Sequence, residues 1–137
     1  MKVVIDSNIF VSSLNSFSPY HYIFQQFAAK NFDLVISTDI ALEYEEVFSW
    51  KFHRSKSNLF LDFIKSSENV IVTQVYYYWR LITVDPDDNK FVDCAIAANV
   101  DYIVSNDKHF NILNELKFPK VDCIKIEEFI EILKAVR

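Results

Sequence analysis

Short runs of consecutive apolar residues alternate along this chain with longer segments whose apolar positions recur every three or four residues. The short runs are Val3-Val4-Ile5, Leu34-Val35-Ile36, Val70-Ile71-Val72, Tyr102-Ile103-Val104 and Cys123-Ile124-Lys125-Ile126. Apolar runs of this length predict strands buried on both faces, the first over residues 2–5, and such strands in an alternating chain are usually parallel. Between them, Ser18-Pro19 predicts the opening of a helix that runs to about Lys30, with Ser18 as N-cap and Pro19 at the first helical position. Ser37-Thr38-Asp39 caps a helix from about Ile40 to Lys51. Leu59, Phe60, Phe63 and Ile64 keep helical spacing in a segment from about Lys56 to Ser66. Asp85-Pro86-Asp87-Asp88 breaks the chain and leads into a helix from about Asn89 to Asn99, a short helix follows Asp107, and a closing helix runs from Glu127 to about Ala135. The stretch Tyr76-Tyr77-Tyr78-Trp79-Arg80 fits neither period and reads as extended, or as an irregular segment laid over the sheet edge. There is no internal repeat, low-complexity tract or linker. The alternation predicts a three-layer α/β/α sandwich around a central parallel sheet of about five strands, in a single domain over residues 1–137.

Composition narrows the chemistry. At 137 residues with 51% hydrophobic content and thirteen Phe, the chain can build a full core with aromatic packing; a domain of this size buries roughly two-thirds of its unfolded surface. It contains no glycine. Positions that need φ > 0 therefore fall to Asn, Asp or a strained residue, and both a P-loop and a GxGxxG fingerprint are excluded. The net charge of −5 gives no global basic footprint for nucleic acid. Basic residues gather only in Lys51-Phe52-His53-Arg54-Ser55-Lys56, which is either a solvated helix end or a phosphate-contacting patch. Cys94 and Cys123 have no CxxC spacing and read as buried thiols of a reducing cytosol. Met1-Lys2 leads straight into a strand, and no apolar run approaches the roughly 18 residues of a membrane span. A cytoplasmic protein with no signal peptide and no membrane partner is expected.

Four dispersed acids carry the candidate chemistry: Asp6, Glu43, Asp93 and Asp107. Asp6 ends the first strand and Asp107 follows the fourth by two residues, so both fall in the crevice beyond the carboxyl ends of a parallel sheet. Glu43 shares the phase of Ile40 and Val47 and borders the core, whereas Glu45 and Glu46 face water. Asn89 and Asp93 share a helix face at i, i+4. Asp87 and Asp88 read as acids that cap the helix or offset its dipole. An EF-hand reading of the segment from Asp85 fails, because Lys90 stands where glycine is needed and Ile96 where a bidentate Glu is needed. Carboxylates brought together from separate elements repel unless a cation holds them, and an oxygen-only set suits Mg²⁺ or Mn²⁺. Ser105 is placed to hydrogen-bond Asp6 across the sheet, Asn8 to support a ligand or the turn, and Asn106 to adopt a left-handed conformation. His21, His53 and His109 show no metal spacing with either Cys.

In VVIDSNIFVSSL at 3–14, STDIALEYEEV at 37–47 and DPDDNKFVDCAIAANVDYIVSNDKHF at 85–110, with the final strand and helix, the chain resembles the PIN-domain nucleases, in particular the bacterial toxin-like branch related to the VapC toxins. The ordered set carries the resemblance over nearly the whole length. It implies that Asp6, Glu43, Asp93 and Asp107 form both the catalytic and the metal-binding set, with Asn8, Ser105 and Asn89 as accessory polar residues and Lys90 in the same lead-in. Asn106 departs from the family, which commonly has glycine there. The implied activity is Mg²⁺- or Mn²⁺-dependent cleavage of RNA by a metal-activated water, leaving a 5′-phosphate and a 3′-hydroxyl. Lys51, Arg54 and Lys56 would contact the RNA backbone, and His53 or Tyr76–Tyr78 would stack on bases. The implied partners are RNA, an antitoxin and a second copy of the chain. Two other readings compete: a PIN nuclease of RNA processing or DNA structure, and a phosphorylatable receiver-like domain. The latter calls for a lysine where this chain carries Ser105-Asn106-Asp107.

Overall fold

The computed structural model describes residues 1–135, so the last two positions of the expected unit lie outside it. Five parallel strands form one sheet: β1 (Lys2–Ile5), β2 (Asp33–Ile36), β3 (Val70–Val72), β4 (Tyr102–Val104) and β5 (Cys123–Ile124). Their spatial order is β3-β2-β1-β4-β5. The chain thus builds outward from β1 to one edge, then returns to the other side of β1. That reversal leaves a crevice between the carboxyl ends of β1 and β4, the switch point of an open parallel sheet.

The helices are α1 (Ser7–Ser13), α2 (His21–Ala28), α3 (Thr38–Lys51), α4 (Arg54–Ser66), α5 (Asn89–Ala98) and α6 (Ile126–Ala135). Given the strand order, the usual right-handed crossover between parallel strands puts α1 to α4 on one face of the sheet and α5, with the 3-10 helix Lys108–Glu115, on the other. This is the three-layer α/β/α arrangement expected from the apolar pattern. The central strands are sealed from water on both sides: Val3, Val4, Ile5, Leu34, Val35, Ile103 and Val104 have no exposed surface. Aromatic rings join the helices above them. Phe10 of α1 stacks on Tyr44 of α3 at 5.2 Å between centroids and meets Phe27 of α2 edge-on at 5.7 Å.

Local chemistry explains the element ends. The Ser37 side chain accepts from the Ile40 amide and caps α3, as its sequence predicts. Ser18 accepts from the Tyr20 amide, yet α2 begins only at His21, because the Ser18-Pro19 segment closes a turn first. Helix α1 follows β1 directly; its apolar positions Ile9, Phe10 and Val11 are contiguous and give no helical period to read. Asn106 is not left-handed. Its carboxamide oxygen accepts from the Ile126 amide and caps α6, which suits an ordinary backbone conformation. Among the described residues, those with positive φ are Lys30, Arg80 and Asn99. Residues 73–83 form an irregular strap that leaves β3 and returns to α5.

Candidate active site

The site is built on the ends of β1 and β4. Asp6 leaves β1, and its carboxylate accepts a 2.8 Å hydrogen bond from the Ser105 hydroxyl at the end of β4. The bond expected between these two residues is therefore present. The Ser105 hydroxyl in turn accepts from the Asp107 amide at 3.0 Å, which sets the turn that carries the second acid. Glu43 arrives from α3, whose register is fixed next door: the hydroxyl of fully buried Tyr44 donates to the Ile5 carbonyl at 2.6 Å. One Glu43 oxygen accepts from the Ser7 hydroxyl, and the other pairs with the Lys90 ammonium at 2.9 Å. Asp6, Glu43 and Asp107 line one cleft of about 500 Å³, together with Asp85, Asp88 and Lys90.

Asp93 is not in this cleft. Although its residue is 4% exposed, its carboxylate accepts from the Trp79 backbone amide at 3.0 Å and lies with Tyr78 and Arg80 beside a separate cavity. Asn89 behaves alike, exchanging hydrogen bonds of 2.8 and 2.9 Å with the Ile82 carbonyl and amide. The shared face of Asn89 and Asp93 is real, but it is turned to the 73–83 strap. Helix phase explains the outcome. Asp88 and Asp93 are five positions apart, about 140° around a helix, so only one of them can face β1 and β4. Asp88 holds that place. The Asp85 side chain caps the turn by accepting from the Asp87 amide at 3.2 Å, which leaves the Asp88 carboxylate free for the cleft.

His109 is the other residue that sequence spacing does not reveal. Its Nδ1 lies 3.3 Å from both Asp88 and Asp107, while its backbone amide donates to Asp107 at 2.9 Å. A donor atom from each of Asp85, Asp88 and His109 falls within 4.8 Å of the others. The only available signal was position: His109 stands two residues beyond Asp107.

The electrostatics mark the same grouping. Burial raises the Asp6 carboxyl above the usual range; Ser105 and the Asn8 amide oppose the rise, and Glu43 and Asp107 add to it by like charge. Burial pushes Asp88 up to about 6, with His109 opposing and Asp85, Asp107 and Asp6 contributing repulsion. Asp93 is raised by burial, opposed by the Trp79 amide, and receives nothing from the other acids. Burial lowers the Lys90 ammonium, but its bond to Glu43 and the surrounding acids outweigh this and hold it raised. A set of oxygen donors destabilised by its own charge fits a hard divalent cation. Burial also pushes the Cys94 and Cys123 thiols up to about 12, so neither supplies a thiolate.

The remaining expected residues are dispersed. Exposed Asn8 borders the cleft. Lys51 and Lys56 line an adjoining cavity with His53, and Lys56 lies 4.7 Å over the Phe52 ring. Arg54 is exposed at the start of α4. Tyr76 and Tyr77 are exposed on the strap.

A model of the PIN domain matches residues 2–109. The chain belongs to the PIN-domain family. This PIN domain has no match among curated protein sequences. In the VapBC2 complex of Rickettsia felis, crystallised with a DNA fragment from its promoter, one chain superposes with a TM-score of 0.64 at 20% identity, over 91% of this chain and 98% of that one. FitAcB from Neisseria gonorrhoeae gives 0.60 at 10% identity over 91% and 98%. The RRP44 PIN domain of T. brucei gives 0.52 at 14% identity over 98% and 81%. At these identities the likeness is one of fold. Among the described residues of this PIN domain, no helix is long and apolar enough to cross a membrane.

Proposed function

We propose that this PIN domain is a divalent-metal-dependent endoribonuclease of the cytosol and the toxin component of a toxin–antitoxin pair. The observation that carries this reading is the convergence of Asp6, Glu43, Asp88 and Asp107 on one cleft at the sheet's switch point. Those four, with Asp85, are the residues that would hold Mg²⁺ or Mn²⁺. When bound, such an ion lowers the pKa of a water and offsets charge on a scissile phosphate. The chain's own residues set the geometry. Ser105 holds Asp6 in its rotamer and shapes the turn to Asp107. Ser7 and Lys90 fix the two Glu43 oxygens. His109 bridges Asp88 and Asp107. Asp93 acts at one remove, anchoring the strap to α5.

The toxin reading is supported by the near-complete coverage of chains from VapBC2 and FitAcB. An antitoxin that places a cation in the acidic cleft is the partner this charge would accept, and a second copy of the chain is a further proposed partner. The likeness to the RRP44 PIN domain favours a second reading, a processing ribonuclease without an antitoxin.

The test is cleavage of a panel of unpaired and structured RNAs with Mg²⁺, Mn²⁺ or EDTA. Asp6→Asn and Asp88→Asn are expected to lose at least about a hundredfold in rate, as removal of a charge-stabilising group does. Asp93→Asn is expected to keep most of the rate, since its carboxylate lies outside the cleft and holds the Trp79 amide of the strap. Equal activity in wild type, Asp6→Asn and Asp88→Asn would reject the nuclease. Growth arrest on expression, relieved by Asp6→Asn, separates the toxin from the processing enzyme.

A further inference from the structure

The acidic cleft does not end at its acids. Trp50 lines it, and Trp50 also lines a cavity of about 450 Å³ with Lys51, Phe52, His53 and Lys56. Asn8 joins the cleft to another hollow of about 510 Å³ that again reaches Lys51 and Phe52. These hollows share lining residues, and from one to the next the lining changes sign, from the carboxylates of the cleft to lysines at the end of α3. Among the described residues, neither Lys51 nor Lys56 is ion-paired with a carboxylate. The cations are available.

Trp50 stands at the change of sign. It is 71% exposed, an unusual setting for so large an aromatic ring in the middle of a polar groove. Seven positions separate it from Glu43 on the same helix. Seven residues are close to two full turns, so both side chains share a face of α3, about 10 Å apart along the axis. A flat ring at that distance from the acids, with cations beyond it, matches the alternation of base and phosphate in a single strand.

We propose that Trp50 is a stacking platform for an unpaired base flanking the scissile phosphate, and that Lys51 and Lys56 hold the phosphates beyond it. Stacking on a side chain requires a base that is out of its duplex, so Trp50 is a specificity-determining residue that favours unpaired RNA. The inference rests on the nuclease reading above and assigns the path its strand takes. Exposure, helix phase and charge carry it, independently of the acids' chemistry.

The experiment measures binding of a fluorescent unpaired 12-nucleotide RNA, and of the same RNA in a duplex, by anisotropy in an Asp6→Asn background with Mg²⁺. Trp50→Ala and Trp50→Phe are compared, and cleavage by the otherwise wild-type protein is followed in parallel. Trp50→Ala is expected to weaken unpaired RNA binding roughly 5- to 100-fold and to leave duplex binding unchanged; Trp50→Phe is expected to recover most of the loss. In cleavage, the change is expected in KM and not in kcat. Unchanged affinity in Trp50→Ala overturns the proposal, as does an equal loss for unpaired and duplex RNA. If the wild type still cuts with metal in either case, the platform fails and the nuclease stands. If the wild type neither binds nor cuts any RNA, both fall together. Loss of co-purification with a protein partner on Trp50→Ala, with RNA affinity intact, would assign the ring to a protein interface instead.

Discussion

Residue by residue, the same amino acid does opposite work according to what surrounds it. Asp93 and Asp88 sit five positions apart, and the more deeply enclosed of the two is the one outside the cleft. Enclosure is thus a poor guide to chemistry here; electrostatic company is the better one, because Asp88 feels Asp85, Asp107 and Asp6 while Asp93 feels none of them. The raised carboxyls carry a linkage consequence. Asp88 titrates near 6 in the fold against an ordinary 3.8, and Asp6 and Asp93 shift in the same direction. Between those limits the folded chain binds more protons than the unfolded chain, so stability falls as pH rises through this window. The metal-free protein is expected to melt at a lower temperature at pH 7.5 than at pH 5. Saturating Mg²⁺ is expected to remove or invert that difference, since the ion binds the ionised acids of the fold. Thermal melts at the two pH values in EDTA and in Mg²⁺ check this, and a higher melting point at pH 7.5 in EDTA would contradict it. In the candidate site, Asp6, Asp107 and Ser105 were legible because each follows a strand, whereas helix phase placed Glu43 only at the core border and the resemblance to PIN nucleases put it among the acids. Asp88 was not, since a carboxylate just before a helix has an ordinary reading as a cap.

Among the secondary-structure elements, the absence of glycine is felt at the helix ends. Helix α2 closes with the Lys30 amide on the Phe27 carbonyl and the Asn31 amide on the Gln26 carbonyl. Helix α5 closes with the Asn99 amide on the Ile96 carbonyl and the Val100 amide on the Ala95 carbonyl. Both are Schellman closures, which place one residue in the left-handed region, usually glycine. Asn99 tolerates that at φ 51° through its short side chain, whereas Lys30 at φ 62° does not share this tolerance. Lys30→Gly is therefore expected to stabilise the protein by up to about 1 kcal/mol, read as a raised denaturation midpoint. The exposed pair it removes, Lys30 to Glu68, contributes little. A lowered midpoint would show that the Lys30 side chain matters more than its backbone angle. Most elements were legible from apolar runs and caps. Helix α1 was not, because Ile9-Phe10-Val11 is an unbroken apolar run; the strap has no period at all, was read as extended or irregular, and is irregular.

Across the whole molecule, a net charge of −5 hides a division of sign between the cleft and the end of α3. Local fields decide binding to a polyanion, and they are screened over about 10 Å in 0.1 M salt. If Lys51, Arg54 and Lys56 meet RNA phosphates, changing all three to Gln is expected to reduce the slope of log affinity against log salt by about 0.7 for each phosphate no longer neutralised. An unchanged slope in a salt titration of RNA binding would remove the patch from the interface. The linear order of residues suffices for the class of fold and the inventory of acids. Buried parallel strands demand uninterrupted apolar runs, and the lack of glycine excludes the phosphate-binding loops that need it. Which acids meet is set in three dimensions. The order β3-β2-β1-β4-β5 brings residues 6 and 107 together, and no local pattern encodes strand order. The rotation of α5 against the sheet then sends Asp88 to the cleft and Asp93 to the strap. That rotation follows from how Phe91, Val92, Cys94 and Ala95 bury themselves between layers, a choice made by the packing of the whole core.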